Sequence, residues 1–136
     1  MIAVVDAGPL YATADADEAD HGRVLEVLSR PGYNFIIPTL AIGEVVHFIA
    51  ARLGPLAEAA FIDGLADFRF EAPHEKDWGR IAELIRQYRD FPLGTVDASV
   101  VALAERLNTD LIITLDQRHF RAIRPRHVEA FRLLPE

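Results

Sequence analysis

The chain alternates short apolar runs with longer amphipathic stretches. Runs of strand length fall at Ile2–Val5, Phe35–Ile37, Phe68–Phe70, Leu111–Leu115 and Phe131–Leu134. Helical patterns lie between them. His21–Ser29 follows an acidic stretch, and Thr39–Leu53 starts at Pro38-Thr39 and stops at Gly54-Pro55. Pro55–Ala66 and Glu75–Arg89 are amphipathic, the latter with Ile81, Leu84, Ile85 and Tyr88 along one helical face. Thr95–Leu107, "TVDASVVALAERL", follows Gly94 and is apolar on most sides, so it is expected to pack against a sheet and another helix at once. Strands alternating with helices predict an α/β fold with a parallel sheet covered on both faces.

In open sheets of this kind, ligands bind at the carboxyl ends of the strands. Two of the runs end there on an acid. "MIAVVDAGPL" passes from Ile2–Val5 to Asp6, and "LIITLDQRHF" passes from Leu111–Leu115 to Asp116. Two more acids sit in apolar surroundings: Glu44 in "TLAIGEVVHFIA", and Asp97 near the start of Thr95–Leu107. No lysine or arginine lies within a helical turn of either, although buried acids are normally paired.

Each acid has a plainer explanation. Asp6 and Asp116 could cap following helices, Asp97 could complement the dipole of a helix capped by Thr95, and Glu44 could face solvent. Convergence of all four would be different. Two unit charges about 4 Å apart repel by roughly 4 kcal/mol at an effective dielectric near 20. Either some protonate or a divalent cation lies among them, and oxygen-only ligands favour Mg²⁺ or Mn²⁺ over zinc. Such a site can activate water and stabilise the leaving oxygen of a phosphodiester.

Composition sets the frame for this chemistry. With 136 residues, 51% hydrophobic and 26% charged, the chain is expected to be a single globular domain spanning 1–136. No apolar stretch is long enough to span a bilayer, no secretory signal is apparent, and cysteine is absent; the expectation is a cytoplasmic protein. The net charge of -7 argues against a nucleic-acid partner until its distribution is considered. Asp15, Asp17, Glu18 and Asp20 crowd one stretch, while Arg118, Arg121, Arg124 and Arg126 follow Asp116 with no acid among them. Arg118, Arg121 and Arg124 are candidate contacts to RNA phosphates, against the simpler alternative of a solvated helix end. His119 is expected to be a surface or capping residue, and Trp78 and the phenylalanines to be core rather than a base-stacking platform.

The order and spacing of "VVDAGPLYA", "IPTLAIGEVVHF", "LGTVDASVVALAERLNTDLIITLDQRHF" and a short last strand resemble the PIN-domain ribonucleases, particularly VapC-like toxins of toxin–antitoxin pairs. The resemblance covers nearly the whole chain. It implies a three-layer α/β/α sandwich around a parallel sheet of about five strands. It also implies that Asp6, Glu44, Asp97 and Asp116 are the catalytic acids. Asp6 and Asp97 would then be the main Mg²⁺ ligands, Asp116 would assist the metal, and Glu44 would position or deprotonate the attacking water. Thr114 matches the hydroxyl residue found just before the fourth acid. Implied partners are an RNA substrate, an antitoxin whose terminal segment covers the cleft, and a second copy in a homodimer.

Two rival functions are distinguishable. A haloacid-dehalogenase-type phosphatase needs a second aspartate two residues after Asp6, where Gly8 stands; a receiver domain needs a late lysine, and Lys76 is the only one. A non-catalytic PIN-like module that binds RNA or protein would keep the fold without cutting.

Overall fold

A computed structural model describes all of residues 1–136. Five strands form one sheet: β1 (Ile2–Val5), β2 (Asn34–Pro38), β3 (Arg69–Glu71), β4 (Leu111–Ile113) and β5 (Arg132–Leu134). Their order is β3-β2-β1-β4-β5 and every pairing is parallel. Parallel neighbours need crossover helices, and the chain supplies seven. These are α1 (Ala7–Ala14), α2 (His21–Leu28), α3 (Thr39–Leu53), α4 (Pro55–Gly64), α5 (Glu75–Gln87), α6 (Thr95–Arg106) and α7 (Gln117–Ala122).

Strand alternation divides the core into two layers. Ala3, Val5, Ile37, Leu111 and Ile113 pack with Leu10, Val27, Ala41, Val45, Ile49 and Phe61 from α1 to α4. Val4, Ile36 and Ile112, one position out of phase, pack with Ile81 and Leu84 of α5, Val100 and Leu103 of α6, and Phe120 of α7. The sandwich is therefore three-layered, as expected. The apolar α6 has its core-facing residues Ala98 to Ala104 buried.

Three boundaries depart from the sequence pattern. β4 stops at Ile113, although the backbone amide of Thr114 still donates to the Leu134 carbonyl at 2.8 Å. Helices α1 and α7, which follow the two strand-end acids directly, lack a pattern of their own. α1 is "AGPLYATA", with little polar contrast, and α7 spans six residues. α6 is capped by Gly94, not Thr95. The predicted stop of α3 is accurate: Gly54 adopts φ 86°, a conformation costly for any residue with a Cβ. The aromatic expectation needs correction. Phe61 and Phe120 are buried, but Trp78 is 49% exposed, Phe70 42% and Phe48 38%.

The connections from β1 and from β4 leave for opposite faces, α1 to one layer and α7 to the other. Neighbouring parallel strands whose helices diverge leave a crevice at their carboxyl ends. That crevice lies between β1 and β4, where Asp6 and Asp116 follow the strands.

Candidate active site

Asp6 follows β1 in extended conformation (φ -77°, ψ 169°), and its amide donates to the Ile113 carbonyl at 2.9 Å. It thus continues the strand alternation toward the layer that holds α6. Only 5% of Asp6 is exposed. The Thr114 hydroxyl, fully buried, donates to Asp6 Oδ2 at 2.9 Å and accepts from the Asp116 amide at 3.0 Å. One hydroxyl therefore ties the end of β1 to the turn after β4.

Asp97 lies in the first turn of α6 and Glu44 in the second turn of α3. Asp6, Glu44, Asp97 and Asp116 line one cleft of about 480 Å³ with Ala7, Gly8 and Leu115. The four acids are brought together from two strand ends and two helices. Their exposure is graded: Asp6 is buried, Asp97 is half-buried, and Glu44 and Asp116 are exposed at the rim. Asp6 does not act as a side-chain cap for α1, whereas Asp116 Oδ1 accepts from the His119 amide at 3.5 Å.

The electrostatics follow from burial and proximity. Burial, then the charge of Asp97, pushes Asp6 up to about 7; the Thr114 hydroxyl opposes the shift and Glu44 adds to it. Asp97 is also raised, first by burial, against the opposing influence of His119, with Asp116 and Glu44 contributing. No arginine or lysine forms an ion pair with any of the four; their only charged contacts are with His119. Hard oxygen donors crowded without a compensating side-chain cation are the donor set that a divalent ion requires.

His119, expected at the surface or in a cap, has its amide on the capping Asp116 carboxylate and its half-buried ring turned to the acids. Its Nδ1 contacts Asp116 Oδ2 and lies 3.8 Å from Asp97 Oδ2, while Phe91 stacks edge-on against the ring at 4.9 Å. The atom is withdrawn from solvent, and no partner meets it in hydrogen-bond alignment. Ligand atoms of Asp97, Asp116 and His119 lie within 4.8 Å of one another. Spacing could have found this residue, because a position three beyond a helix cap faces back toward it. His47, by contrast, is exposed on α3 and outside the cleft, and His21 and His127 contact the backbone carbonyls of Ala12 and Thr109.

The arginines after Asp116 divide. Arg118 lines a recess with Asp116, Gln117, Asp20 and Arg23. Arg121 and Arg124 bond within their own segment, to Gln117 and to the Arg121 carbonyl. Arg126 is held by Glu83 at 2.7 Å.

Comparison with known proteins gives this arrangement a lineage. The family model for the PIN domain matches residues 3–124. The chain belongs to the PIN-domain family. Ribonuclease VapC26 of Mycobacterium tuberculosis is 32% identical over 134 residues, covering 97% of this chain and 99% of that protein. Among solved structures, the sarcin–ricin loop-cleaving toxin VapC20 of Mycobacterium tuberculosis superposes with a TM-score of 0.74 at 19% identity. The match covers 81% of this chain and 86% of that one. VapBC2 of Rickettsia felis, bound to a promoter DNA fragment, superposes at 0.70 with 16% identity over 90% of this chain and 93% of its own. At those identities the structures establish the shared fold.

Proposed function

We propose that this PIN domain is a Mg²⁺-dependent endoribonuclease, with Mn²⁺ as a substitute ion, and the toxin of a toxin–antitoxin pair. The observation that carries the reading is the cleft itself: four carboxylates with no arginine or lysine among them. Asp6 and Asp97 would hold the ion, assisted by Asp116, with His119 the neighbouring nitrogen donor. A bound divalent cation supplies Lewis-acid stabilisation of charge on the scissile phosphodiester. Thr114 fixes one oxygen of Asp6 and the turn carrying Asp116, so the two strand ends keep their separation. Glu44, at the rim, would position or deprotonate the attacking water. As the new P–O bond forms, the bond from phosphorus to the 3′-oxygen breaks, and that oxygen takes a proton from solvent, giving a 5′-phosphate and a 3′-hydroxyl. Arg118, Arg121 and Arg124 meet backbone phosphates outside the cleft.

The 32% identity to Ribonuclease VapC26 over 97% of the chain supports RNA as the substrate class. An antitoxin is supported by an apolar recess of about 420 Å³ between α1, α2 and α4, lined by Leu10, Leu25, Leu28, Phe61, Leu65 and Phe68. An antitoxin segment that also covered the acid cleft would neutralise the carboxylates with an arginine. Association as a homodimer is part of the same reading. No helix is long and apolar enough to cross a membrane.

The test is direct. Purified protein should cleave structured RNA with Mg²⁺ or Mn²⁺ and stop with EDTA, and Asp6→Ala and Asp97→Asn should be inactive. Cleavage that survives chelation and both substitutions would refute the reading.

A further inference from the structure

Beside the acid cleft lies a second recess of about 240 Å³. Ala7, Gly8, Glu44 and Leu115 wall both. Beyond those shared residues the second recess is built by Tyr11, Glu18, Val45, Phe48 and Arg52, none of which the scheme above uses. Arg52 is placed by stacking. Its guanidinium lies 4.7 Å from the Phe48 ring centroid, one helical turn away on α3, and 5.2 Å from that of Tyr11 on α1. Tyr11 is itself buried and anchored, its hydroxyl donating to Asp15 Oδ2 at 2.8 Å. Arg52 forms no ion pair, unlike Arg80, Arg106, Arg126 and Arg132. Phe48, 38% exposed, lines this recess. Glu18 is half-buried.

We propose that this recess is a nucleobase subsite, which takes the base flanking the scissile phosphate of an RNA strand. The proposal rests on the nuclease reading for its substrate. Phe48 and the Arg52 plane provide the stacking surface, a mode of recognition that any base satisfies. Glu18 supplies selectivity. A carboxylate accepts from the exocyclic amino group of adenine, cytosine or guanine, whereas uracil offers carbonyl oxygens at those positions. The acidic stretch around residues 15–20 therefore has a task besides solvation: it selects amino-bearing bases next to the cut.

Two measurements test this. In the first, wild type and the Phe48→Ala, Arg52→Ala and Glu18→Ala proteins cut a random-sequence RNA pool with Mn²⁺, and the new ends are sequenced. Wild type should disfavour uracil beside the cut about fivefold, and Glu18→Ala should flatten that profile. Phe48→Ala and Arg52→Ala should raise KM by about five- to a hundredfold, with kcat changed less than about twofold. The second needs no cleavage: ¹⁵N amide shifts are followed during titration with GMP and with UMP. Residues 11, 48 and 52 should respond to GMP more than to UMP, and Arg52→Ala should lose the response. Unchanged base profiles and KM in variants that still cut would overturn the subsite and leave the nuclease intact. GMP bound at these residues in a protein that cuts no RNA would sink the nuclease reading alone. Absence of any GMP response at these residues would overturn the subsite by itself.

Discussion

Helix α6 carries one acid at each end, and the two live in opposite circumstances. Glu105, in its last turn, meets Arg80 at 2.8 Å with both side chains about nine-tenths covered, and accepts the Arg126 amide at 2.8 Å. Burial pushes Glu105 up, but the Arg80 hydrogen bonds and Arg126 outweigh it and hold the carboxyl below its ordinary value. Next to it, Arg106 binds Asp77 at 2.8 Å, and Asp77 closes a capping box with His74 at the start of α5. At the other end, Asp97 has burial pushing the same way and no arginine to oppose it, so it stays raised. A fold that places arginine beside one acid of a helix and withholds it from the other has separated two tasks. The last turn of α6 has its cation within the chain, and its first turn leaves an acid open to one from outside, as the proposed metal site requires.

The largest effect should come from breaking this contrast at the end that lines the cleft. Asp97→Asn should lower RNA cleavage by about a thousandfold or more, while Glu105→Gln should leave activity per folded molecule nearly unchanged. Initial rates on one labelled RNA, normalised to the folded fraction from circular dichroism, decide between them. Equal losses in the two variants would erase the distinction.

Stability should move the other way at the cleft. Asp6 is raised to about 7 in the folded protein against 3.8 when unconstrained. Between those values the folded state holds a proton that the unfolded chain has released, so stability falls as pH rises from about 4 to 7 and then levels. At pH 8 the accumulated penalty approaches about 4 kcal/mol. Asp6→Asn removes it. The variant should melt higher than wild type at pH 8, equal it near pH 3.5, and show no gain from Mg²⁺, whereas Mg²⁺ should raise the wild-type melting temperature. Thermal melts across pH with and without the ion check all three outcomes.

At the stabilised end, Arg80→Ala strands Glu105 with its charge largely covered and should cost about 3 kcal/mol in urea unfolding. Cleavage by the folded fraction should persist.

The fold was largely legible because strand and helix periodicities differ and each element buries one face. Ile81, Leu84 and Ile85 mark α5 as clearly as any contact does. What failed had no periodicity to show. α1 is nearly all small and apolar and α7 is too short; the edge strand β3 forms one residue from its expected place, but its Phe70 is exposed instead of core. The four acids were legible for two other reasons: Asp6 and Asp116 end apolar strand runs, and Glu44 and Asp97 are charges in apolar surroundings without a nearby cation. His119 was legible only as a neighbour of Asp116, three positions before it; its nearness to Asp97, 22 positions away in sequence and 3.8 Å away in space, was not. Phe48 was hidden likewise. An aromatic on an apolar helix carries no sign of whether it faces the sheet or the cleft.

The smallest predicted effect concerns Thr114, which neither binds an ion nor faces solvent. Thr114→Val keeps the shape and deletes the hydroxyl, so the Asp116 amide loses its acceptor and Asp6 its donor. An unsatisfied buried group costs about 1–3 kcal/mol, and cleavage should drop about tenfold as the two strand ends lose their tie. The loss should be pH-dependent. Without the hydroxyl that favours its charged form, Asp6 ionises at higher pH, so the rising limb of the rate profile should move upward in Thr114→Val and return in Thr114→Ser. A uniform fall at every pH, unrescued by serine, would mean that Thr114 only fills space, and that Asp6 needs no help from β4 to reach its charged state.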